Sequence, residues 1–148
     1  MNSSFSDKSV ELLIVEDNEG DVRLIKEALR GSAVVDKFSV AIDGEQALDF
    51  LHKRAGFEAC SRPDLILLDL NLPKVNGFDV LTELKTHPAL QKIPVIIFSS
   101  STSDSDIQRS YDLKANSYVS KPSDFDEFLS VVKTIEDFWF HTVRLPMN

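Results

Sequence analysis

The chain has 148 residues, 43% of them hydrophobic and 27% charged, which fits one globular domain with a core of its own. Its net charge of −8 argues against DNA binding, since a surface that binds phosphates normally carries a basic stripe. A single cysteine excludes an internal disulfide framework, and no apolar run reaches the roughly 20 residues of a membrane helix. We expect a cytoplasmic protein with neither nucleic-acid nor membrane partners.

Short apolar runs along the chain predict strands. In chain order they are 11–15, 38–42, 64–68, 95–99 and 117–120, with the sequences ELLIV, FSVAI, DLILL, VIIFS and SYVS. The runs are mostly continuous, which is typical of parallel strands buried on both faces. The second run alternates slightly and is predicted to be an edge strand.

Helical patterns separate the predicted strands. Asp43, Asn76, Ser103 and Ser123 each stand three residues before a side chain able to reach back, as an N-cap does. Alternation of strand and helix, repeated five times, predicts an α/β fold with one parallel sheet and helices on both faces. The mixed segment 52–62 is predicted to be a surface loop.

Polar side chains follow the predicted strands at the point where each strand ends. They are Glu16 and Asp17 after the first run, Asp69 and Asn71 after the third, Ser99 at the end of the fourth and Lys121 after the fifth. Ligands of open α/β sheets bind outside these carboxyl ends, so we expect the side chains to converge. Two carboxylates about 4 Å apart repel by roughly 4 kcal/mol at an effective dielectric constant of about 20, a penalty that a divalent cation removes.

These oxygen donors predict a magnesium site rather than a zinc site. We expect Asp17 and Asp69 to be direct ligands of Mg²⁺. The backbone carbonyl of Asn71 is predicted as a third ligand, and Glu16 as a ligand that acts through water.

The same residues predict phosphoryl chemistry. A carboxylate is a competent nucleophile toward phosphorus, which makes Asp69 the candidate acceptor. Lys121 would neutralise charge on the phosphoryl group, and the Ser99 hydroxyl would donate a hydrogen bond to it. Each residue alone is weak evidence, because acids often cap helices and serine fills turns. Their placement together at one end of consecutive strands is the informative signal.

With the segment 69–77 (DLNLPKVNG) and Lys121-Pro122, these residues resemble the receiver domain of two-component response regulators. Asp69 and Ser99 are 30 positions apart, and Ser99 and Lys121 are 22 apart, spacings typical of that family. The resemblance covers about 11–140. It implies a flavodoxin-like, five-stranded parallel sheet of order 2-1-3-4-5 and phosphorylation of Asp69 by a partner histidine kinase, in phosphorelay signal transduction.

The resemblance also implies a switch. Ser99 and Tyr118 occupy the positions whose side chains move on phosphorylation, and the fourth helix, fifth strand and fifth helix form the surface that changes. The predicted fourth helix is largely polar, with Ile107 and Tyr111 as its few apolar anchors. Sparse apolar contacts suit an element that moves in response to a local change of charge.

More narrowly, the chain is similar to the small response regulators paired with cyanobacterial phytochromes. This similarity rests on the segment DLNLPK, the loop through 60–63 and the endings 135–139 and 142–146. It implies a kinase partner with a bilin-type light sensor. Ser99 departs from the family's commoner threonine, and the chain continues past the usual end of the domain without a DNA-binding module.

The predicted organisation is a flexible N-terminus at 1–10, a receiver domain at 11–140, a C-terminal tail at 141–148 and no output domain. One stripe of the last helix is predicted to face the core: Phe125, Phe128, Leu129, Val132, Ile135, Trp139 and Val143. Further apolar residues leave the tail either folded back over the sheet or in a homodimer through the fourth and fifth helices, which we favour. The predicted dimer or partner surface is Val131, Phe138, Trp139, Leu145 and Pro146.

Other classes of protein share parts of this pattern. A haloacid-dehalogenase-type phosphatase also uses a strand-end aspartate and magnesium, but it needs a second aspartate where this chain has Asn71. A receiver-like domain that is never phosphorylated would not need the complete set of polar residues. A flavodoxin-like cofactor binder would need a glycine-rich phosphate loop after Val15, and none is present. We therefore expect a signalling receiver that catalyses only its own phosphorylation and dephosphorylation.

Overall fold

The computed structural model describes residues 10–32 and 35–146, and within them five parallel strands form one sheet in the order β2-β1-β3-β4-β5. The strands are β1 (Val10–Val15), β2 (Val35–Ala41), β3 (Leu65–Leu68), β4 (Val95–Ser99) and β5 (Ser117–Ser120). The predicted fold class and strand order are confirmed, and β2 lies at an edge as expected. Val10 belongs to β1 rather than to a flexible N-terminus, and residues 1–9 of that prediction lie outside the described residues.

The described helices are α1 (Glu19–Leu29), α2 (Gly44–Leu51), α3 (Gly77–Thr86), α4 (Asp104–Asp112) and α5 (Phe125–Glu136), with a π-helical turn at Asp137–Thr142. Asp43, Asn76 and Ser103 cap their helices as predicted. The prediction for Ser123 is wrong, because α5 begins at Phe125 and the side chain of Asp124 caps it. None of the helices in the described part of the chain has the length and apolarity needed to cross a membrane.

Two apolar layers cover the sheet. Side chains of α2 and α3 pack on one face, and side chains of α1 and α5 pack on the other. Every residue of β3 and β4 is buried, because these central strands are covered on both faces. This burial explains their continuous apolar sequences, and it leaves the polar residues to gather where the strands end.

Sequence patterns overestimated the burial of several side chains in α5 and α4. Phe125 does not join the core stripe of α5 and is 57% exposed, because it opens the helix ahead of Phe128, the first of its side chains to be buried. In the described residues α4 buries only Ser110. The predicted anchors of that helix are weaker than expected, since Ile107 is half-buried and Tyr111 is 46% exposed.

The segment after α5 folds back over the α1–α5 face. Trp139, Phe140 and Leu145 are partly buried against the apolar cluster on that side, and Val131 packs there too. Phe138 points away from it and is 50% exposed. Most of the apolar surface predicted in the tail is therefore covered by the protein's own core.

Candidate functional site

Backbone hydrogen bonds carry the strand pattern one residue beyond β1 and β3. The amide of Glu16 donates to the Ala41 carbonyl over 2.9 Å, and the amide of Asp69 donates to the Val15 carbonyl over 3.0 Å. This fixes both acids at the same edge of the sheet, where Glu16 and Asp69 are buried and Asp17 is exposed. Carboxylate oxygens of Glu16, Asp17 and Asp69 lie within 4.8 Å of one another.

Lys121 joins this group from the end of β5. Its backbone amide donates to the Ser99 carbonyl over 2.8 Å, which places the side chain over the strand ends. The Lys121 Nζ lies 2.5 Å from Glu16 Oε1, 2.8 Å from Asp21 Oδ2 and 3.2 Å from Asp69 Oδ2. The lysine side chain is only 7% exposed, so these are pairs shielded from solvent.

The charges of this cluster shift the acid–base equilibria of its members. Burial raises the pKa of Glu16 to about 7, against the hydrogen bond from Lys121, and the charge of Asp69 adds to the rise. Burial also works against the charge of Lys121, but hydrogen bonds to Asp21 and Glu16 and the charges of Glu16 and Asp69 hold its pKa above its ordinary value. The pKa of Glu16 thus rises mainly because the carboxyl group is buried, whereas the pKa of Lys121 rises because three carboxylates surround the ammonium group.

The loop after Asp69 is held by close backbone packing. The amide of Gly77 donates to the Leu70 carbonyl over 2.9 Å, and a Cβ on Gly77 would lie 2.4 Å from the carbonyl oxygen of Asp69. The Asn71 side chain is exposed, while its amide lies 3.5 Å from Asp69 Oδ1. A larger residue than glycine at the start of α3 would displace the segment that carries the candidate phosphoryl acceptor.

The start of α2 packs against the same loop. The Gly44 amide donates to the Pro73 carbonyl over 3.3 Å, and a Cβ on Gly44 would lie 1.8 Å from the Val75 carbonyl oxygen. Glycine is therefore required at the first position of α2 by space rather than by backbone conformation.

Ser99 and Tyr118 both make hydrogen bonds to Ser101, in the segment after β4. Ser99 is fully buried, and its hydroxyl oxygen accepts a 3.3 Å hydrogen bond from the Ser101 amide. The Tyr118 hydroxyl donates to the Ser101 carbonyl over 2.8 Å, and the Tyr118 amide donates to the Tyr111 hydroxyl over 3.1 Å. The two predicted switch residues are thus connected through Ser101, and Tyr118 is also bonded to α4.

Sequence reasoning missed Asp21. Two acids stand in the first turn of α1, Glu19 and Asp21, and this position commonly complements the helix dipole. Nothing in the spacing distinguishes the acid that contacts Lys121 from its neighbour, because the contact spans 100 residues.

The donor set suits a hard divalent cation. Glu16, Asp17 and Asp69 offer carboxylate oxygens, the ligands that Mg²⁺ and Mn²⁺ prefer over nitrogen or sulfur. Their shared negative charge, only partly balanced by Lys121, favours such an ion. The arrangement therefore brings together the buried Asp69 carboxylate, an acidic pocket and an ammonium group paired with it.

Comparison with known proteins gives a consistent result. Residues 12–133 match the family described as response regulator receiver domain. "Response regulator Rcp1" of Synechocystis sp. (strain ATCC 27184 / PCC 6803 / Kazusa) is 41% identical over 135 residues, which are 91% of this chain and 92% of that protein.

Solved structures agree in fold. The phosphorylated cyanobacterial phytochrome response regulator RcpA has a TM-score of 0.91 and 44% identity, with 94% of this chain and 99% of that chain covered. The Mn(2+)-bound form of response regulator Rcp1 has a TM-score of 0.90 and 40% identity, over 93% of this chain and 99% of that chain.

Proposed function

This chain belongs to the response regulator receiver family, and we propose that it accepts a phosphoryl group on Asp69 from a partner histidine kinase. The main support for this proposal is the position of the Asp69 carboxylate, which is buried at a strand end 3.2 Å from Lys121 Nζ. A nucleophile beside a fixed positive charge suits phosphoryl transfer, which depends on positioning and on charge stabilisation.

The residues divide the work of the transfer. A carboxylate oxygen of Asp69 forms the new P–O bond as the bond between phosphorus and the donor's imidazole nitrogen breaks, and that electron pair leaves with the nitrogen. Lys121 balances the negative charge of the phosphoryl oxygens. Ser99 donates its hydroxyl hydrogen to one of them once its side chain turns toward Asp69.

We assign Glu16, Asp17 and Asp69, with the carbonyl of Asn71, as the residues that hold Mg²⁺. Three carboxylate oxygens within 4.8 Å of one another support this assignment, and a similar protein, Rcp1, has a structure described as Mn(2+)-bound. When bound, the cation supplies charge neutralisation for the phosphoryl oxygens.

Intact-protein mass after incubation with acetyl phosphate tests the proposal. We expect a gain of one phosphoryl group, about 80 Da, with Mg²⁺ and none after chelation. Asp69→Asn should abolish the gain, and Asp112→Asn at the exposed end of α4 should retain it. An equal gain in the Asp69→Asn variant, or none in the wild type with any phosphodonor including a cognate kinase, would contradict the assignment.

We propose a phytochrome-type histidine kinase as the phosphoryl donor. The support is the similarity to RcpA, described as a cyanobacterial phytochrome response regulator. Transfer from a radiolabelled cyanobacterial phytochrome kinase should exceed transfer from a histidine kinase without a light sensor at equal concentrations. Equal rates from both kinases would remove the support for this partner.

We also propose that the receiver signals through changed contacts with other proteins. One such contact is a homodimer through α4, α5 and the tail. The exposed ring of Phe138, at 50%, supports this surface, with exposed Pro146 nearby in sequence. Three other residues contribute less to the predicted dimer surface because they already pack on the core: Val131, Trp139 and Leu145. Phe138→Ala should lower the sedimentation mass, whereas Ile42→Ala, at a similarly exposed side chain after the edge strand β2, should not. A monomeric wild type would exclude the dimer.

A further inference from the structure

Lys121 has a partner that is not one of the proposed metal ligands. Asp21 Oδ2 lies 2.8 Å from Lys121 Nζ, closer than Asp69 Oδ2 at 3.2 Å. Asp21 comes from the first turn of α1 and is a quarter exposed, whereas Glu16 and Asp69 are buried at the strand ends. In the described part of the chain the acidic group that could hold a cation contains Glu16, Asp17 and Asp69, and Asp21 stands outside it.

From this geometry we infer that Asp21 is a positioning residue for Lys121. It gives the ammonium group a partner outside the metal ligands, so that Lys121 can leave the carboxylates of Glu16 and Asp69 to a divalent cation and remain paired. The inference rests on the proposed function, because it presupposes that this pocket binds Mg²⁺.

The argument is one of competing charges. An ammonium group and a divalent cation repel each other, and both are attracted to Glu16 and Asp69. Without another partner, Lys121 would remain on those carboxylates and oppose cation binding. Asp21 allows Lys121 to move off them while remaining paired, and pairing matters because the lysine side chain is only 7% exposed.

The local fold makes Asp21 suitable for substitution. Its backbone amide donates to the Asn18 side chain over 2.9 Å, and this N-cap bond does not involve the Asp21 carboxylate. Asp21→Asn therefore removes the charge and leaves the helix start in place. Glu19→Gln is the matched control, since it removes an equal charge from the same turn.

The test is calorimetric Mg²⁺ binding without any phosphodonor. Asp21→Asn should weaken Mg²⁺ binding about fivefold, the size of a coupling between neighbouring charged groups, and Glu19→Gln should weaken it far less. Equal losses in the two variants would overturn the inference, because they would show only the effect of net charge.

A double-mutant cycle with Lys121→Met separates positioning from direct attraction. In that background Asp21→Asn should have no more effect than Glu19→Gln, because there is no ammonium group left to hold. The same fivefold loss in both backgrounds would overturn the role for Asp21, while leaving the metal site intact. Absence of Mg²⁺ binding by the wild type would instead overturn the proposed function, so the two failures are distinct.

Discussion

Helices α3 and α4 have nearly the same length, 10 and 9 residues, but they are attached to the protein in different ways. α3 buries Val80, Leu81 and Leu84 against the sheet, whereas in the described residues α4 buries only Ser110. The first is fixed by apolar contacts, and the second is held mainly by polar ones. The difference distinguishes a firmly packed side of the site from a loosely packed one.

The rigid helix begins beside the candidate phosphoryl acceptor. Gly77 opens α3 and packs against the backbone of Asp69 and Leu70, so α3 fixes the loop that follows the proposed phosphoryl acceptor. Fixed geometry favours transfer because the reacting groups are already oriented.

The loosely packed helix, α4, begins a few residues after Ser99. Ser101 Oγ donates to Asp106 Oδ2 over 2.7 Å, the Tyr118 hydroxyl donates to the Ser101 carbonyl, and Tyr111 accepts from the Tyr118 amide. Such bonds can be exchanged for others without opening the apolar core. This supports the proposal that phosphorylation of Asp69 changes the α4 surface.

Truncation of a buried side chain in each helix tests the comparison most directly. Leu84→Ala in α3 should lower the free energy of unfolding by about 2–5 kcal/mol, because it leaves a cavity in the core. Ile107→Ala in α4 should cost under about 1 kcal/mol, since that side chain is only half-buried. Urea denaturation measures both, and similar losses would show that α4 is as firmly packed as α3.

Substitution of the glycine at the start of α3 should have the next largest effect on the free energy of unfolding. Gly77→Ala should destabilise the protein by about 1–3 kcal/mol and slow phosphorylation, because the new Cβ must displace the Asp69 backbone. Gly20→Ala, in the first turn of α1, is the control, since its Cβ meets only the side-chain oxygen of Asn18 at 3.2 Å. Normal stability and normal phosphorylation of Gly77→Ala would refute the close packing.

Sequence patterns were sufficient for the sheet and for most of the site. Glu16, Asp69 and Lys121 follow from strand ends, because parallel strands bring these positions to one edge. The same patterns did not predict the contact between Asp21 and Lys121. They also did not predict the hydrogen bonds that connect Ser101, Tyr111 and Tyr118. Those contacts depend on how helices are placed relative to the sheet and on side-chain rotamers, which periodicity does not encode.

Sequence periodicity also could not predict what covers the apolar residues of the C-terminal tail. Its apolar residues indicated buried surface, but periodicity along one helix does not distinguish burial on the protein's own core from burial on a partner. Trp139 packs on the core, as its place on the predicted α-helical stripe indicates, while its neighbour Phe138 is exposed.

Removal of one hydroxyl tests the polar attachment of β5 to the segment before α4. Tyr118→Phe loses the hydrogen bond to the Ser101 carbonyl and should lower stability by about 0.5–1.5 kcal/mol while the ring still packs on the core. Hydrogen exchange should then increase at 101–112 and remain unchanged in α3. An equal increase in both helices would show that the tyrosine supports the whole core rather than α4.

The smallest expected effect concerns the direct contact between the two helices. Arg109 of α4 lies with its Cζ 4.1 Å from the ring centroid of Phe78 in α3, a cation–π contact at the surface. Arg109→Met keeps an unbranched stem but loses the charge, and Phe78→Leu keeps apolar bulk but loses the ring. A double-mutant cycle should give a coupling of about 0.5–1 kcal/mol. A coupling near zero would leave α4 attached through Ser101, Tyr111 and Tyr118, and the contrast with α3 would be sharper still. A coupling several times larger would mean that α4 is fastened to the rigid helix, and any movement on phosphorylation would have to break that contact first.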